Sequence, residues 1–399
     1  MPSPLEGRAV ALGVSGSIAA YKAVDLASKL TQAGALVDVV MTPSAQEFVT
    51  ALTFQSITQR PVTADPFDPQ TEMGIDHVAV AERAGVVVVA PATANTIAKM
   101  AHGIADDALS IMVLATIAPI VVCPAMDVNM YANPATQHNI QTLKDRGVVI
   151  AGPASGRMAS GLSGAGRMIE PLEIIGHVCL VLGREGDLAG LKIVVSAGGT
   201  QEPIDPVRFI SNRSSGKMGY AIAEAARDRG AAVTIVAAPG ALADPVGVRV
   251  IRVETALEMQ HAVVAATEDA DALIMAAAVA DWRPEEAADN KLKSGGAATS
   301  ELQLKKTPDI VAGLTRDGLV KVGFAAETED LVSNAQEKLA AKGLDLIVAN
   351  DVSVEGSGFG ADTNEVVLID ANGGRDAPGL LPKYEVGHRI LDRVAALLK

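Results

Sequence analysis

Residues 8–34 read RAVALGVSGSIAAYKAVDLASKLTQAG. Arg8 to Val14 is a run of β-formers and small residues, and Ser15, Gly16 and Ser17 interrupt it. From Ile18 to Ala33 the apolar positions recur at helical spacing, with Ala20, Val24, Ala27 and Leu30 on one face. Gly34 is a natural helix stop. Val37 to Met41 then begins a second strand, so the stretch reads as strand, small-residue turn, helix, strand.

The same grammar continues outward. Val86 to Ala90 is an unbroken apolar strand, of the kind covered on both faces of a parallel sheet. Pro91 to Asn95 forms a loop into another helix, and Ile120 to Cys123 is a strand ending in Pro124, Ala125 and Met126. The apolar run from Ile111 to Met126 contains Pro119 and is too short to span a bilayer; it reads as a helix end followed by a buried strand. Residues 152–167, GPASGRMASGLSGAGR, are glycine-rich and read as an irregular, mobile flap. Pro171 to Gly190 reads as a helix and a polar connector. The unit then restarts: strand Lys192–Val195, turn SAGGT (196–200), helix Met218–Gly230, strand Ala232–Ala237, and later strands Leu273–Ala276 and Leu344–Ala349. The expected fold is α/β, with two doubly wound Rossmann-like domains at residues 1–190 and 191–399. Ligands in such sheets bind at the carboxyl ends of the strands.

Composition bounds the function. The chain has 399 residues, enough for two domains, and a net charge of −14, which argues against general affinity for nucleic acid or anionic membranes. Anionic ligands then need local positive sites. Cys123 and Cys179 form no zinc pattern and no disulfide framework. The N-terminus lacks the pattern of a signal peptide, so a cytoplasmic location is expected.

In the first half, Gly16 and Ser17 sit where a strand meets a helix, a geometry that suits a phosphate; read alone, it is equally a tight turn. Three further segments accompany it: APATANTIAK (90–99) with GIADDAL (103–109), and PAM followed at the fourth position by Met130. Together with SGSIAAYK (15–22) they resemble the homo-oligomeric flavin-containing cysteine decarboxylases, specifically phosphopantothenoylcysteine decarboxylase, over residues 5–175. The resemblance implies a flavodoxin-like flavoprotein fold, a trimer, and FMN near Gly16, Ser17, Ser44, Thr93, Asn95 and Met130. His77 stands where that family keeps its active-site histidine, and an imidazole can handle a thiol proton. Two positions depart from the family pattern. Asp127 replaces an asparagine that holds the substrate carboxylate, and Ser160 replaces a cysteine that acts as proton donor. One reading has Asp127 kept neutral by a buried site and supplying that proton. The opposite reading has a half that binds FMN and no longer decarboxylates.

In the second half, Asp205 to Gly219 (DPVRFISNRSSGKMG) places hydroxyl and small residues just ahead of a helix, which offers clustered donors to an anion. The Ser-Ser-Gly-Lys ending lacks the remainder of a Walker A motif. Asp281, at a strand end after Met275, Ala276 and Ala277, suits a Mg²⁺ that bridges nucleotide phosphates. Lys291 and Lys293 flank an expected lid over residues 291–296. With Thr307, Pro308, Asp309 and Ile310, then Phe324, Lys338 and Lys342, these segments resemble the bacterial CTP-using phosphopantothenoylcysteine synthetases across residues 190–399. The resemblance implies that Asn212 holds an acyl-cytidylate, Asp281 the metal and triphosphate, and Lys291 the developing charge. The remaining residues, with Met275, Ala276, Ala277 and Lys291, form the CTP site. It also implies 4′-phosphopantothenate and L-cysteine as substrates.

The order of the halves resembles the bacterial bifunctional enzyme, which implies a homo-oligomer built from trimers through the first domain and dimers through the second, a dodecamer. Three readings follow: a bifunctional enzyme, a ligase whose flavin domain is inactive, and a flavin-binding regulatory subunit.

Overall fold

The computed structural model describes residues 3–65, 76–293, 301–327, 331–351, 356–358 and 360–398. It divides into two compact units, Pro2–Leu182 and Gly183–Lys399. Among the described residues no helix is long and apolar enough to cross a membrane.

The first unit is built on six parallel strands: β1 (Ala9–Val14), β2 (Leu36–Met41), β3 (Val62–Thr63), β4 (Val86–Ala92), β5 (Ile120–Pro124) and β6 (Val149–Ile150). Their order in the sheet is β3-β2-β1-β4-β5-β6. This is the Rossmann wind, whereas flavodoxin sheets run 2-1-3-4-5. Both faces are covered, which explains the unbroken apolar runs. Val86, Val88 and Ala90 meet Leu12, Leu26, Phe54 and Ile174 on one side. Val87 and Val89 meet Leu109, Met112 and Ile140 on the other. Each Val, Leu, Ile, Met or Phe side chain among them contributes about 1.5–3 kcal/mol of transfer free energy when fully buried. The helix Ala20–Gln32 buries the expected stripe through Ala20, Ala27 and Leu30, and Gly34 ends it with φ +86°.

The reading of residues 152–167 as irregular is corrected. They contain an antiparallel hairpin, β7 (Ala154–Arg157) with β8 (Ser163–Arg167). Met158 N–H donates to Leu162 O at 2.7 Å, and Gly161 turns the tip with φ +89°. Glycine and alanine here let the two strands approach; they do not forbid pairing.

The second unit carries an eight-stranded mixed sheet. Its elements are β9 (Lys192–Ala197), a ribbon of β10 (Gln201–Pro203) and β11 (Phe209–Ser211), then β12 (Ala232–Ala237), β13 (Arg249–Arg252) and β14 (Ala272–Met275). A second ribbon, β15 (Trp282–Pro284) with β16 (Leu304–Lys306), precedes β17 (Val320–Glu327), β18 (Leu346–Asp351), β19 (Thr363–Asp370) and β20 (Arg375–Pro382). The main sheet runs β13-β12-β9-β14-β17-β18-β19-β20. The first six strands are parallel, so the Rossmann wind is repeated; β19 and β20 add an antiparallel edge. The helix Lys217–Arg227 and the C-terminal helix Lys383–Leu397 pack on one face, and Ala256–Ala266 with Leu331–Ala341 on the other. Gly219 is required by contact: a Cβ there would lie 2.7 Å from Ala197 Cβ.

Buried polar groups anchor the C-terminal helix. Arg229 donates to Asp187, to Asp392 and to the carbonyl of His388. The His388 ring stands edge-on to Tyr384 at 4.6 Å, and among the described residues neither ring nitrogen has a partner. Burial, with Arg229 nearby, pushes its imidazole down to about 4. The fold therefore holds the neutral ring. Stability linked to it is complete above the ordinary value of 6.5 and is lost as pH falls toward 4. Going from pH 7.5 to 5 should cost the second unit about 2 kcal/mol through this group. Urea unfolding followed at Trp282, the chain's single tryptophan, should show a shallower pH dependence in His388→Leu. Equal dependence in both proteins would exclude the group.

Candidate active sites at the two switch points

In both sheets the chain reverses its direction of winding beside the first strand, between β1 and β4 and between β9 and β14. The crevice at such a point is where α/β sheets hold ligands.

In the first unit Ser15 stitches the crevice. Its hydroxyl, 1% exposed, donates to Pro91 O at 2.7 Å and accepts from Thr93 N–H at 3.1 Å. A Cβ on Gly16 would lie 2.5 Å from Ser44 Cβ, so only glycine lets the turn pass. Thr93 caps the helix Ala94–His102 through Thr96 N–H. A cavity of about 700 Å³ opens beside these turns. Gly16, Ser17, Thr93, Asp127, Met130 and Ser160 all line it, and the β7–β8 hairpin supplies one wall. Ser44 abuts Gly16 without lining the cavity, and Asn95 is exposed next to Thr93 outside it. His77 falls on the helix Asp76–Arg83, with its side chain outside the described residues.

The two departures from the family pattern touch each other. Ser160 Oγ donates to Asp127 Oδ2 at 2.5 Å, and Asn129 N–H donates to Oδ1 at 3.0 Å as Asp127 caps the short helix Val128–Ala132. The Ser160 hydroxyl, then the Asn129 amide, hold the Asp127 carboxyl below the usual carboxylate range. The expectation of a neutral, proton-donating Asp127 is therefore corrected: the site is open to solvent and its hydrogen bonds favour the anion.

The second crevice is stitched in the same way. Ser196 Oγ accepts from Ala277 N–H at 3.1 Å and Thr200 Oγ1 from Ala280 N–H at 3.0 Å; both side chains belong to fully buried residues. The loop after β14 is thereby held against the turn after β9. Asn212 Nδ2 donates to the carbonyls of Ala278 and Val279 at 3.2 Å each, which leaves its amide oxygen as an acceptor.

A cavity of about 660 Å³ collects nearly every residue singled out in this half. Asn212, Met275, Ala276, Ala277, Asp281, Thr307, Pro308, Asp309, Ile310, Phe324, Lys338 and Lys342 line it. Lys338 Nζ donates to Phe324 O at 3.1 Å, and Lys342 pairs with Asp309 at 2.7 Å. Burial works to raise the Asp309 carboxyl, but Lys342 and the amides of Ala312 and Val311 outweigh it and keep it below the ordinary value. Thr307 is buried, and its hydroxyl has no partner among the described residues.

Lys291 is exposed and stands off this lining; the expected lid is described only to Lys293, and the rest lies outside the described residues. Sequence reading missed Lys383, which also lines the cavity and whose Nζ donates to the carbonyls of Gly358 and Thr363. No local motif marks it. Ser15, Ser196 and Thr200 carry one readable signal, a hydroxyl at or just past the end of a strand. Among the described residues Arg213, Lys217, Lys306, Lys338, Lys342 and Lys383 line this cavity with the acids Asp281 and Asp309, and Lys217 pairs with Asp362 at 2.7 Å. This is the local positive site that an anionic ligand requires.

Comparison with known proteins agrees with the two units. The Flavoprotein family matches residues 1–183, and the DNA/pantothenate metabolism flavoprotein C-terminal domain matches 188–398. The chain is 47% identical to the Coenzyme A biosynthesis bifunctional protein CoaBC of Vibrio parahaemolyticus, covering 99% of both. It is 45% identical to that of Bacillus subtilis, covering 99% of this chain and 98% of the relative. A crystal structure of the C-terminal domain of a CoaBC protein is 38% identical over 53% of this chain and 98% of its own, with a TM-score of 0.46. On the strength of the full-length matches, the chain belongs to the CoaBC family of coenzyme A biosynthesis bifunctional proteins.

Proposed function

We propose that the second unit joins L-cysteine to 4′-phosphopantothenate with CTP and Mg²⁺, and that the first unit decarboxylates the product with FMN. As a member of its family the chain is an enzyme of coenzyme A biosynthesis with ligase and decarboxylase activities. The full-length match to bifunctional relatives disfavours both a ligase with an idle flavin domain and a regulatory subunit. The observation that carries the finer reading of the ligase is the single cavity that unites Asn212, Asp281, Thr307, Lys338 and Lys342.

In the ligase half, the carboxylate of 4′-phosphopantothenate attacks the α-phosphate of CTP, and pyrophosphate leaves. The cysteine amine then attacks the acyl-cytidylate, forms the amide and releases CMP. A carboxylate is a poor electrophile, and the mixed anhydride supplies the leaving group. The protein positions the reactants and offsets charge. Thr307, Pro308, Asp309, Ile310, Phe324, Lys338 and Lys342, with Met275 to Ala277, hold the nucleotide. Asn212 retains the acyl-cytidylate. Among the described residues no three possible metal ligands cluster. Asp281 would hold a Mg²⁺ there, and the ion would offset the charge of the nucleotide phosphates. Lys291 approaches the transferring phosphate as charge develops.

In the decarboxylase half, the close turn at Gly16 and a cavity walled by Met126, Met130 and Met168 suit FMN. Gly16, Ser17, Ser44, Thr93, Asn95 and Met130 would hold it, and its contribution is reversible two-electron oxidation. His77 takes the thiol proton of 4′-phosphopantothenoylcysteine. The ionised Asp127 repels the substrate carboxylate, so Arg157 and Arg167, on the two strands of the hairpin wall, receive it instead. Ser160 is engaged with Asp127 and orients the hairpin tip, while solvent supplies the last proton.

The enzyme is read as cytoplasmic and as a dodecamer of trimers and dimers.

Incubation of the protein with CTP, Mg²⁺ and 4′-phosphopantothenate should release pyrophosphate, and 4′-phosphopantothenoylcysteine should release CO₂; failure of either reaction removes that half of the proposal. Lys291→Gln should slow pyrophosphate release about 100-fold while CTP affinity stays within about threefold; equal losses would count against a transition-state role. In Ser160→Ala the Asp127 carboxyl should titrate at higher pH by carbon NMR. An unmoved midpoint would show that the hydroxyl is not its donor.

A further inference from the structure

Asp205 to Arg208 lie in the turn between β10 and β11, yet none of them lines the cavity. They grip the chain next to Lys291. The Asp205 side chain is fully buried. Its Oδ1 accepts from the N–H groups of Val207 and Arg208, at 2.9 Å each, and closes a tight turn. Its Oδ2 accepts from Arg208 Nε at 3.0 Å, from Arg208 Nη2 at 2.5 Å and from Leu292 N–H at 3.1 Å. The same Arg208 Nη2 donates to Leu292 O at 2.8 Å. Both backbone groups of Leu292 thus end on one ion pair. Four residues earlier, Ala288 N–H donates to Ile204 O at 2.9 Å. The chain is pinned at 288 and 292, with Lys291 exposed between the pins.

We propose that Asp205 is a positioning residue for Lys291: its buried carboxylate, paired with Arg208, fixes the Leu292 backbone and so sets where the lysine ammonium can reach. The inference rests on the role given to Lys291 above. Charge-assisted bonds to a desolvated carboxylate are short and directional, so one pair orients both the turn and the strap. The carboxyl is held far below its usual range, by Arg208 first and by the surrounding amides, so the anchor stays charged throughout the working pH range. A group that acts only through Lys291 should affect the step in which Lys291 acts and not nucleotide affinity. A displacement of the lysine by about 1 Å is enough to slow such a step up to about 100-fold.

The test uses the full-length chain as Asp205→Ala, Lys291→Gln and the double variant, with single-turnover pyrophosphate release and calorimetric CTP binding. Asp205→Ala should slow release by about 10- to 100-fold with CTP affinity within about threefold. The double variant should be no slower than Lys291→Gln alone by more than about twofold, since the two losses share one route. Asp205→Asn, which keeps the acceptor for the turn amides, serves if Asp205→Ala does not fold. Multiplying losses in the double variant, or CTP binding lost in step with rate, overturns the inference. A slow Lys291→Gln beside a full-rate Asp205 variant overturns it alone; a full-rate Lys291→Gln overturns it together with the role of Lys291.

Discussion

The buried serine and threonine hydroxyls at the two switch points hold everything else in place. Ser15 joins the turn after β1 to the end of β4, and Ser196 with Thr200 joins the turn after β9 to the loop after β14. Each hydroxyl satisfies a main-chain group that would otherwise be left without a partner, a loss of about 1–3 kcal/mol apiece. Parallel strands buried on both faces have no polar side chains to spare. The loops at their carboxyl ends must carry the chemistry, and they must be held by something other than sheet pairing. The same device serves both units, although the ligands proposed for them differ.

Electrostatics separates the two cavities. The acidic chain concentrates lysines and one arginine around the second cavity, where Lys342 neutralises Asp309 and Lys338 is bonded to the Phe324 carbonyl. Those lysines are therefore directed by the fold as well as available to an anion. In the first cavity the balance differs. The Ser160 hydroxyl and the Asn129 amide favour the charged form of Asp127, and Arg157 and Arg167 stand on the hairpin wall. Considered singly, each departure from the family pattern looked like a defect. Together they form a hydrogen-bonded pair that ties the hairpin to the helix after β5.

Much of the fold was legible. The run Val86 to Ala90 announced a strand covered on both sides, Lys192 to Val195 announced a strand, and the helix between Ile18 and Ala33 was visible in the spacing of Ala20, Val24, Ala27 and Leu30. The β7–β8 hairpin was not, because small residues with positive-φ glycines resemble a loop until a partner strand is present. The antiparallel edge of β19 and β20 escaped as well. In the second unit the residues of the ligase motifs could be named but not their hydrogen bonds. Lys383 was invisible because its contacts are carbonyls on the segment before β19 and in its first residue.

The sequence by itself determined the two doubly wound sheets and the family, because apolar periodicity and motif identity are local properties of the chain. Only the tertiary structure decided that Ser160 meets Asp127 across 33 positions and that Leu292 hangs on Asp205 across 87. It also decided that Asn212, Asp281 and Lys342 line one cavity. Such contacts depend on how loops close over a sheet whose register is set elsewhere. A hydrogen bond, being short and directional, exists only once that closure has brought donor and acceptor within about 3 Å.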